Sequence, residues 1–138
     1  MKRIFTLSLT FILFSLSLAP CAGARASDQI ANGWATAYVY SDHKIGIEYQ
    51  VIGTGIMSML GANCVKLYEK NGNSWKLADT KNQTDFLPLF TTNLQSYCYE
   101  VFFSVDSGKQ YYAEVYAFAT NKDGTDSRIY SSNVVTVH

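Results

Sequence analysis

Histidine, cysteine and proline are scarce in this 138-residue sequence, and the shortage of histidine excludes several kinds of catalytic and metal site. There are two histidines, His43 and His138, and they are far from the spacing of a zinc-binding pair. His43 falls in a predicted turn and His138 is the last residue, so neither is easily placed in a catalytic triad. A Gly-x-Ser-x-Gly segment is also absent. We therefore predict no catalytic residues, no metal site and no cofactor.

A long apolar run occurs at the N-terminus and nowhere else. Residues 4–18 are apolar or uncharged, and they follow the basic residues Lys2 and Arg3. A small-residue segment, 21–26, comes next and satisfies the A-x-A cleavage pattern at Ala24 and Ala26. The run is shorter than the ~20 residues that a membrane-spanning helix needs. The order of these features predicts a secretory signal peptide at residues 1–26.

The other interpretations of this segment are cleavage after Ala24, a retained membrane anchor, and lipid attachment to Cys21. Lipid attachment is disfavoured because the rigid Pro20 occupies the position where a small residue is needed. Cleavage after Ala26 predicts a secreted, extracellular chain of residues 27–138, with no membrane association once the signal peptide is removed. A chain of this length is typical of one domain with its own core.

Basic residues are few in the predicted mature chain. The full sequence has 11 basic and 11 acidic residues, and the signal segment removes Lys2, Arg3 and Arg25, which leaves a net charge of about −3. No basic stripe is present, so the sequence predicts no binding to nucleic acid. All ten tyrosines lie in the mature part, which is also rich in Val, Ile and Thr, and this composition favours strands.

Alternation of apolar and polar residues dominates the mature chain, and no segment has a helical apolar stripe. The pattern predicts strands at 33–41, 44–53, 63–70, 74–79, 96–105, 111–121 and 129–137, with a loop at 80–95. The turn residues Asn71-Gly72-Asn73 indicate a hairpin, and Asp123-Gly124 indicates a turn between the last two strands. About seven short strands in one small domain predict an all-β fold, a single β-sandwich.

The strand at 111–121 has two different faces. One face is mostly small and apolar and consists of Tyr111, Ala113, Val115, Ala117 and Ala119. The other is mostly bulky and aromatic and consists of Tyr112, Glu114, Tyr116, Phe118 and Thr120. Alternate side chains of a strand point to opposite sides of the sheet. We expect the first set to face the core and Tyr112, Tyr116 and Phe118 to lie on the outer surface.

The last thirty residues resemble the final two strands of a fibronectin type III module. The matching positions are a tyrosine, alternating small apolar residues, a turn glycine, two serines and a valine-rich end: Tyr111, Ala113, Val115, Ala117, Gly124, Ser131, Ser132, Val135 and Val137. The resemblance implies an immunoglobulin-like sandwich in which Tyr111 closes a corner at the start of its strand. Tyr49 is the nearest candidate for the tryptophan that such modules keep on their second strand.

A second, shorter resemblance involves the segment GTGIMSMLGA, residues 53–62. It is similar to a segment of small secreted bacterial proteins that have no characterised function. This resemblance implies the same extracellular location and a single all-β domain.

Two cysteines remain after signal cleavage, Cys64 and Cys98. An even number of cysteines in a secreted chain predicts one Cys64–Cys98 disulfide. The alternative is two separate thiols, because both cysteines lie within predicted strands that would have to face each other within ~6 Å.

Two loops contain residues that resemble ligand-binding motifs without completing them. Gly53-Thr54-Gly55 has neither the third glycine nor the lysine of a phosphate loop. The segment 119–127 offers Asn121, Asp123 and Asp126, yet an EF-type calcium loop would place Ala119 and Tyr130 at its first and last ligand positions. We interpret both segments as turns.

The function predicted from these observations is a secreted, non-catalytic binding or surface-interaction module whose candidate binding residues are Tyr112, Tyr116 and Phe118. Partners could be an extracellular protein, a carbohydrate or a second copy of the chain. One alternative is a small hydrolase that uses a carboxylate pair such as Glu100 and Glu114. Another is a structural module without a ligand, in which the 80–95 loop covers the aromatic face.

Overall fold

A computed structural model describes residues 28–85 and 87–138. The predicted signal peptide and its cleavage site lie outside the described residues. In the described residues, no helix has the length and apolar character needed to cross a membrane. Strands make up most of the described chain, and the fold is the all-β sandwich that the sequence predicts.

Seven long strands and two very short ones form the sandwich. In chain order they are β1 (Ile30–Ser41), β2 (Lys44–Met57), β3 (Met59–Asn71), β4 (Ser74–Asn82), β5 (Phe90–Thr91), β6 (Leu94–Ser104), β7 (Gln110–Asn121), β8 (Gly124–Ser131) and β9 (Val135–Thr136). A short 3-10 helix, Leu87–Leu89, precedes β5. The smaller sheet has the order β1-β2-β6, and the larger has the order β4-β3-β7-β8, with β5 paired to β3 and β9 paired to β7.

Every strand pair is antiparallel, and the predicted hairpin turns are confirmed. β1 and β2 are joined by Asp42 and His43, and β3 and β4 are joined through Gly72, whose φ is 60°. The β7–β8 hairpin pairs Asn121 with Gly124, and Gly124 has a φ of 142°, a conformation that side chains disfavour.

The predicted last strand, 129–137, is wrong in its extent. β8 begins at Gly124, because the turn takes only Lys122 and Asp123. After Ser131 the chain leaves β8, and β9 then pairs with Gln110 and Tyr111 at the start of β7. The predicted loop at 80–95 likewise contains the end of β4, the 3-10 helix and β5.

The core lies between the two sheets and follows the period-2 pattern of the strands. In β7 the predicted inward set is buried, with Tyr111, Ala113, Val115, Ala117 and Ala119 no more than 1% exposed. Opposite them, the smaller sheet contributes a second row of buried side chains: Ile45, Ile47, Tyr49, Val51, Val101 and Phe103. Tyr49 is fully buried on β2, the second strand, which is where the sequence analysis expects it.

Tyr111 closes the corner between β6 and β7, as the resemblance implies. Its hydroxyl accepts a hydrogen bond from the backbone N–H of Asp106 at 3.1 Å and lies 3.3 Å from the Asp106 carbonyl. The ring is buried at the start of β7. A buried tyrosine that bonds to backbone a few residues upstream fixes the path of the chain between the sheets.

Polar side chains join the two sheets along the side where β1 meets β8. The Asn133 amide accepts a hydrogen bond from the Ala37 N–H at 2.9 Å and donates one to the Ala37 carbonyl at 3.0 Å. The Asp126 carboxylate accepts one from the Ile30 N–H at 3.1 Å. These bonds occupy backbone groups of edge strand β1 that would otherwise be free to pair with another chain.

The close approach of β5 to β3 depends on Gly61. This glycine has a φ of 151°, and a Cβ placed there would lie 2.4 Å from the Leu89 carbonyl oxygen and 2.5 Å from the Phe90 Cα. Both of those atoms belong to backbone and cannot move aside as a side chain does. Gly61 therefore allows the segment 89–91 to pair closely beside β3 in the larger sheet.

We predict that Gly61→Ala lowers the free energy of unfolding by roughly 2–3 kcal/mol, because the new Cβ combines backbone strain with an overlap. Gly55→Ala is the matched control, since nothing lies within 4 Å of a Cβ built at Gly55. Chemical denaturation of both variants measures the difference. Equal stability of the two variants would contradict the close packing of β5 on β3.

Candidate functional site

The predicted binding residues lie on the outer face of the larger sheet, but they do not form one exposed patch. Tyr112 and Tyr116 are half-buried there. Phe118 is only 5% exposed, and its ring packs against the Phe90 ring at a centroid distance of 6.2 Å. The alternative in which the 80–95 segment covers this face is therefore correct in part, because Phe90 of β5 covers Phe118. The prediction that Phe118 is exposed is wrong.

The rest of this outer face forms what we call the aromatic face: Tyr68, Trp75, Tyr112, Glu114 and Tyr116. Tyr68 and Tyr112 are directly opposite in the β3–β7 register, and their rings stack with centroids 5.0 Å apart. The Trp75 ring meets the Tyr112 ring edge-on at 4.8 Å. Aromatic pairs in these two geometries stabilise each other by about 0.5–1.5 kcal/mol beyond the area they bury.

A carboxylate ties together two of the tyrosines. The Tyr68 and Tyr116 hydroxyls donate to the same oxygen of Glu114, at 3.1 and 3.0 Å. Burial and the hydrogen bond to Glu114 raise the pKa of Tyr68 to about 12. The hydrogen bond to Glu114, followed by burial, also raises the pKa of Tyr116. Both phenols therefore stay protonated as donors, and the orientations of their rings are fixed.

Two lysines lie against the aromatic face. The Lys66 ammonium is 4.5 Å from the centroid of the Tyr116 ring, and the Lys70 ammonium is 4.9 Å from that of Trp75. Each contact is within the distance at which a ring attracts a cation. The charged groups of this face are thus paired with its own phenols and rings, which makes the face a preformed surface.

Beside Tyr116 the outer face has a shallow depression of about 380 Å³. Side chains from three strands form its walls, namely Asn63 of β3, Tyr116 of β7, and Ser127 and Ile129 of β8. Ile129 lies opposite Tyr116 in the register and is 56% exposed, so its side chain presents apolar surface to solvent. The depression continues the aromatic face towards the edge strand β8.

The outer face of the smaller sheet also carries aromatic residues. The Trp34 indole donates to the Gln50 amide at 3.0 Å, and Gln50 donates to the Ser96 hydroxyl at 3.0 Å. At the other end, the Tyr40 ring is 61% exposed and contacts Phe102 edge-on at 5.2 Å. Between them the Tyr38 ring lies over Gly46, but among the described residues of this outer face no two rings stack as those of Tyr68 and Tyr112 do.

The predicted Cys64–Cys98 disulfide is absent from the structure, in which both thiols are free. Cys64 lies on β3 of the larger sheet and Cys98 on β6 of the smaller sheet. Both point outward, because Cys64 shares its face with Tyr116, and the Cys98 thiol donates to Glu48 at 3.6 Å. Packed sheets lie about 10 Å apart, whereas a disulfide needs Cα atoms within about 7 Å. The cysteines therefore lie on opposite surfaces of the sandwich.

Glu100 and Glu114, the carboxylate pair considered for the hydrolase alternative, do not lie together either. Glu100 is on β6 and Glu114 is on β7, so the two side chains lie on the outer faces of different sheets. The neighbour of Glu100 is instead Glu48, directly across the β2–β6 ladder. The Tyr38 hydroxyl donates to Glu100, and this bond, followed by burial, raises the pKa of Tyr38 to about 12.

The residues considered for a calcium loop have structural partners. The Asn121 amide contacts the Gln29 amide oxygen, the Asp123 N–H donates to Asn121, and Asp126 bonds to the start of β1. Across residues 28–85 and 87–138, no group of three or more His, Cys, Asp or Glu side chains is arranged to hold a metal ion.

Tyr68 and Trp75 are the site residues that the sequence analysis did not identify. The sequence did contain a signal for them. The Asn71-Gly72-Asn73 hairpin places Trp75 opposite Lys70, and Tyr68 is two residues before Lys70 on the same face of β3. Their approach to Tyr112 also required the pairing of β3 with β7, which joins residues about 45 positions apart. Local alternation does not reveal such a pairing.

Comparisons with known proteins place the chain in no family. No family model matches it, and no curated protein matches it. A hypothetical protein from Pyrococcus horikoshii OT3 is 18% identical with a TM-score of 0.37, over 83% of this chain and 95% of that one. A superoxide reductase (neelaredoxin) from Ignicoccus hospitalis is 12% identical with a TM-score of 0.35, over 80% and 85%.

A third solved structure with similarity is a β-glucosidase from Kluyveromyces marxianus. It is 14% identical with a TM-score of 0.36, over 74% of this chain and 15% of the enzyme. Similarities of this size establish no activity for this chain.

We predict that the stability of the chain falls between pH 10 and pH 12. The pKa values of Tyr38 and Tyr68 are raised from about 10 to about 12, so their contribution is complete below pH 10 and is lost as the pH rises through 12. Urea unfolding at successive pH values measures the fall. The double variant Tyr38→Phe with Tyr68→Phe should show a smaller fall, whereas Tyr40→Phe, at an exposed position, should match the unaltered chain. An equal fall in all three chains would contradict the assignment.

Proposed function

We propose that the chain is a secreted, non-catalytic β-sandwich module that binds an extracellular partner through its aromatic face. The single observation that carries this proposal is the arrangement of Tyr68, Trp75, Tyr112 and Tyr116 as one interlocked group on an outer sheet surface. The core does not require this group, because the inward side chains of β3 and β7 already contribute the buried residues of the larger sheet.

The energetics of binding favour such a surface. Binding costs free energy when flexible side chains must be ordered, and a surface that is already fixed avoids that cost. Here stacking, edge contacts and two hydrogen bonds to Glu114 hold the rings before any partner arrives. Tyrosine and tryptophan combine apolar area with a polar group, and both are enriched at contact surfaces.

We further propose that the sandwich is of the fibronectin type III kind. The support is the order of the long strands, three in one sheet and four in the other, and the Tyr111 corner at the start of β7. Tyr49 occupies the central core position on β2. In modules of this architecture the sheets form a scaffold, and binding takes place on exposed surfaces.

Secretion is the part of the proposal that rests on the sequence alone. The basic end, the apolar run and the A-x-A segment at the N-terminus support it. An extracellular location also gives the aromatic face access to cell-surface and matrix partners, which are the partners that this proposal names.

A structural module without a ligand is the second candidate, and one observation favours it. Phe90 covers Phe118, so part of the outer face behaves as a small second core. If the other aromatic residues serve only to stabilise the larger sheet, replacing them should lower the stability of the fold. The unaltered chain should then show no binding to cells.

The experiment compares the double variant Tyr112→Ser with Tyr116→Ser against a control pair, Trp34→Ser with Tyr40→Ser, on the outer face of the smaller sheet. The labelled chain is titrated onto washed cells of the organism that produces it, and bound fluorescence is measured. We expect the first pair to weaken binding at least tenfold, because it removes two rings of the aromatic face, and the control pair to change it less than twofold.

Two results would contradict the proposal. One is saturable binding that the aromatic-face pair leaves unchanged while the control pair removes it. The other is no binding by the unaltered chain together with a loss of stability of more than about 4 kcal/mol in the aromatic-face pair, a loss typical of core residues. Thermal unfolding of each variant provides the stability measurement.

A further inference from the structure

The depression beside Tyr116 differs from the rest of the aromatic face because some of its polar side chains have no partner in the protein. In the part of the chain that the structure describes, the Asn63 amide and the Ser127 hydroxyl make no hydrogen bond, and both residues are exposed. An amide offers two donors and an acceptor, and a hydroxyl offers one donor and an acceptor. These groups are available to a ligand.

The side walls of the depression are apolar. The Tyr116 ring forms one wall and the Ile129 side chain another, and the hydrogen bond from the Tyr116 hydroxyl to Glu114 holds the ring in place. The volume of about 380 Å³ falls within the range of sites for small molecules. The depression is open to solvent, so it suits one unit of a longer ligand.

The charges around the depression are already paired. Lys66 lies over the Tyr116 ring, and Glu114 accepts two phenol hydrogen bonds. Arg128, which also lines the depression, pairs through its guanidinium with Asp28 at 3.5 Å and with Asp126 at 3.7 Å. A charged ligand would have to compete with these contacts, whereas a neutral ligand rich in hydroxyl groups would not.

We infer that the depression binds one neutral sugar ring of a polysaccharide or glycan. A pyranose ring has an apolar face of C–H groups that fits against Tyr116 and Ile129, and hydroxyls at its rim that can bond to Asn63 and Ser127. This inference rests on the proposed function, because it names the ligand class of the same surface. Neighbouring sugar units would extend along the aromatic face towards Trp75.

The test is native gel electrophoresis of the purified chain in gels that contain one soluble neutral polysaccharide each: galactomannan, xyloglucan, dextran or a soluble β-glucan. Polygalacturonate serves as the charged probe. We expect at least one neutral polysaccharide to retard the chain and polygalacturonate not to. Calorimetric titration with the retarding polysaccharide then gives a dissociation constant.

The double variant Asn63→Ala with Ser127→Ala should raise that dissociation constant at least tenfold, because it removes the two unpaired polar groups. The matched control is Asn73→Ala with Thr36→Ala, which removes an exposed amide and an exposed hydroxyl elsewhere on the surface. The control should leave affinity within twofold, and both double variants should keep the melting temperature of the unaltered chain within a few degrees.

In the gel and calorimetric measurements, any of three results would overturn the sugar inference: no retardation by any neutral polysaccharide, retardation by polygalacturonate alone, or a dissociation constant that the Asn63 and Ser127 changes leave intact. The proposed function fails separately, through the cell-binding measurement. If cell binding depends on Tyr112 and Tyr116 and is removed by protease treatment of the cells but not by periodate oxidation of their sugars, the aromatic face binds a protein and the sugar inference is wrong.

Discussion

One buried hydrogen bond determines which part of the outer face of the larger sheet is covered and which part is exposed. The Tyr49 hydroxyl, in the centre of the core, donates to the Leu89 carbonyl at 2.6 Å. Burial raises the pKa of Tyr49, so the hydroxyl remains a donor. Leu89 is itself fully buried, and its backbone lies directly against Gly61. This bond therefore holds Leu89 in position, and with it the pairing of β5 beside β3.

The position of β5 divides the outer face into a covered and an uncovered part. Phe90 follows Leu89 and packs on Phe118, so that end of the face is closed. From Tyr116 to Trp75 the rings are held by one another and by Glu114, and each keeps part of its surface exposed. The same constraint that completes the core thus leaves the aromatic face and its neighbouring depression open to solvent.

The sequence predicted well those features that depend on residues close together in the chain. Alternation in β7 identified the buried set correctly, and the Asn-Gly and Asp-Gly turns gave the correct hairpins, because strand period and turn geometry are local properties. Tyr111 bonds to backbone at the β6–β7 corner and Tyr49 is buried on β2, the positions that the sequence analysis gave these two residues.

Features that depend on the pairing of distant strands were predicted less well. The burial of Phe118 requires β5, which in turn requires Gly61 and the Tyr49 hydrogen bond, and no local pattern contains that information. The disulfide prediction used compartment and cysteine number, whereas the assignment of β3 and β6 to different sheets separates the two thiols. The stacking of Tyr68 on Tyr112 depends on the β3–β7 register in the same way.

The most direct test of this account is the Tyr49→Phe variant, examined by the free energy of unfolding and by hydrogen exchange of the backbone amides at 89–91. The change removes only a hydroxyl and leaves the buried Leu89 carbonyl without its donor, which costs about 1–3 kcal/mol. We expect that loss of stability together with exchange at 89–91 that is faster relative to the amides of β2 and β7. Unchanged stability and unchanged exchange at 89–91 would show that the Tyr49 hydrogen bond does not hold β5 in place, and would contradict the account.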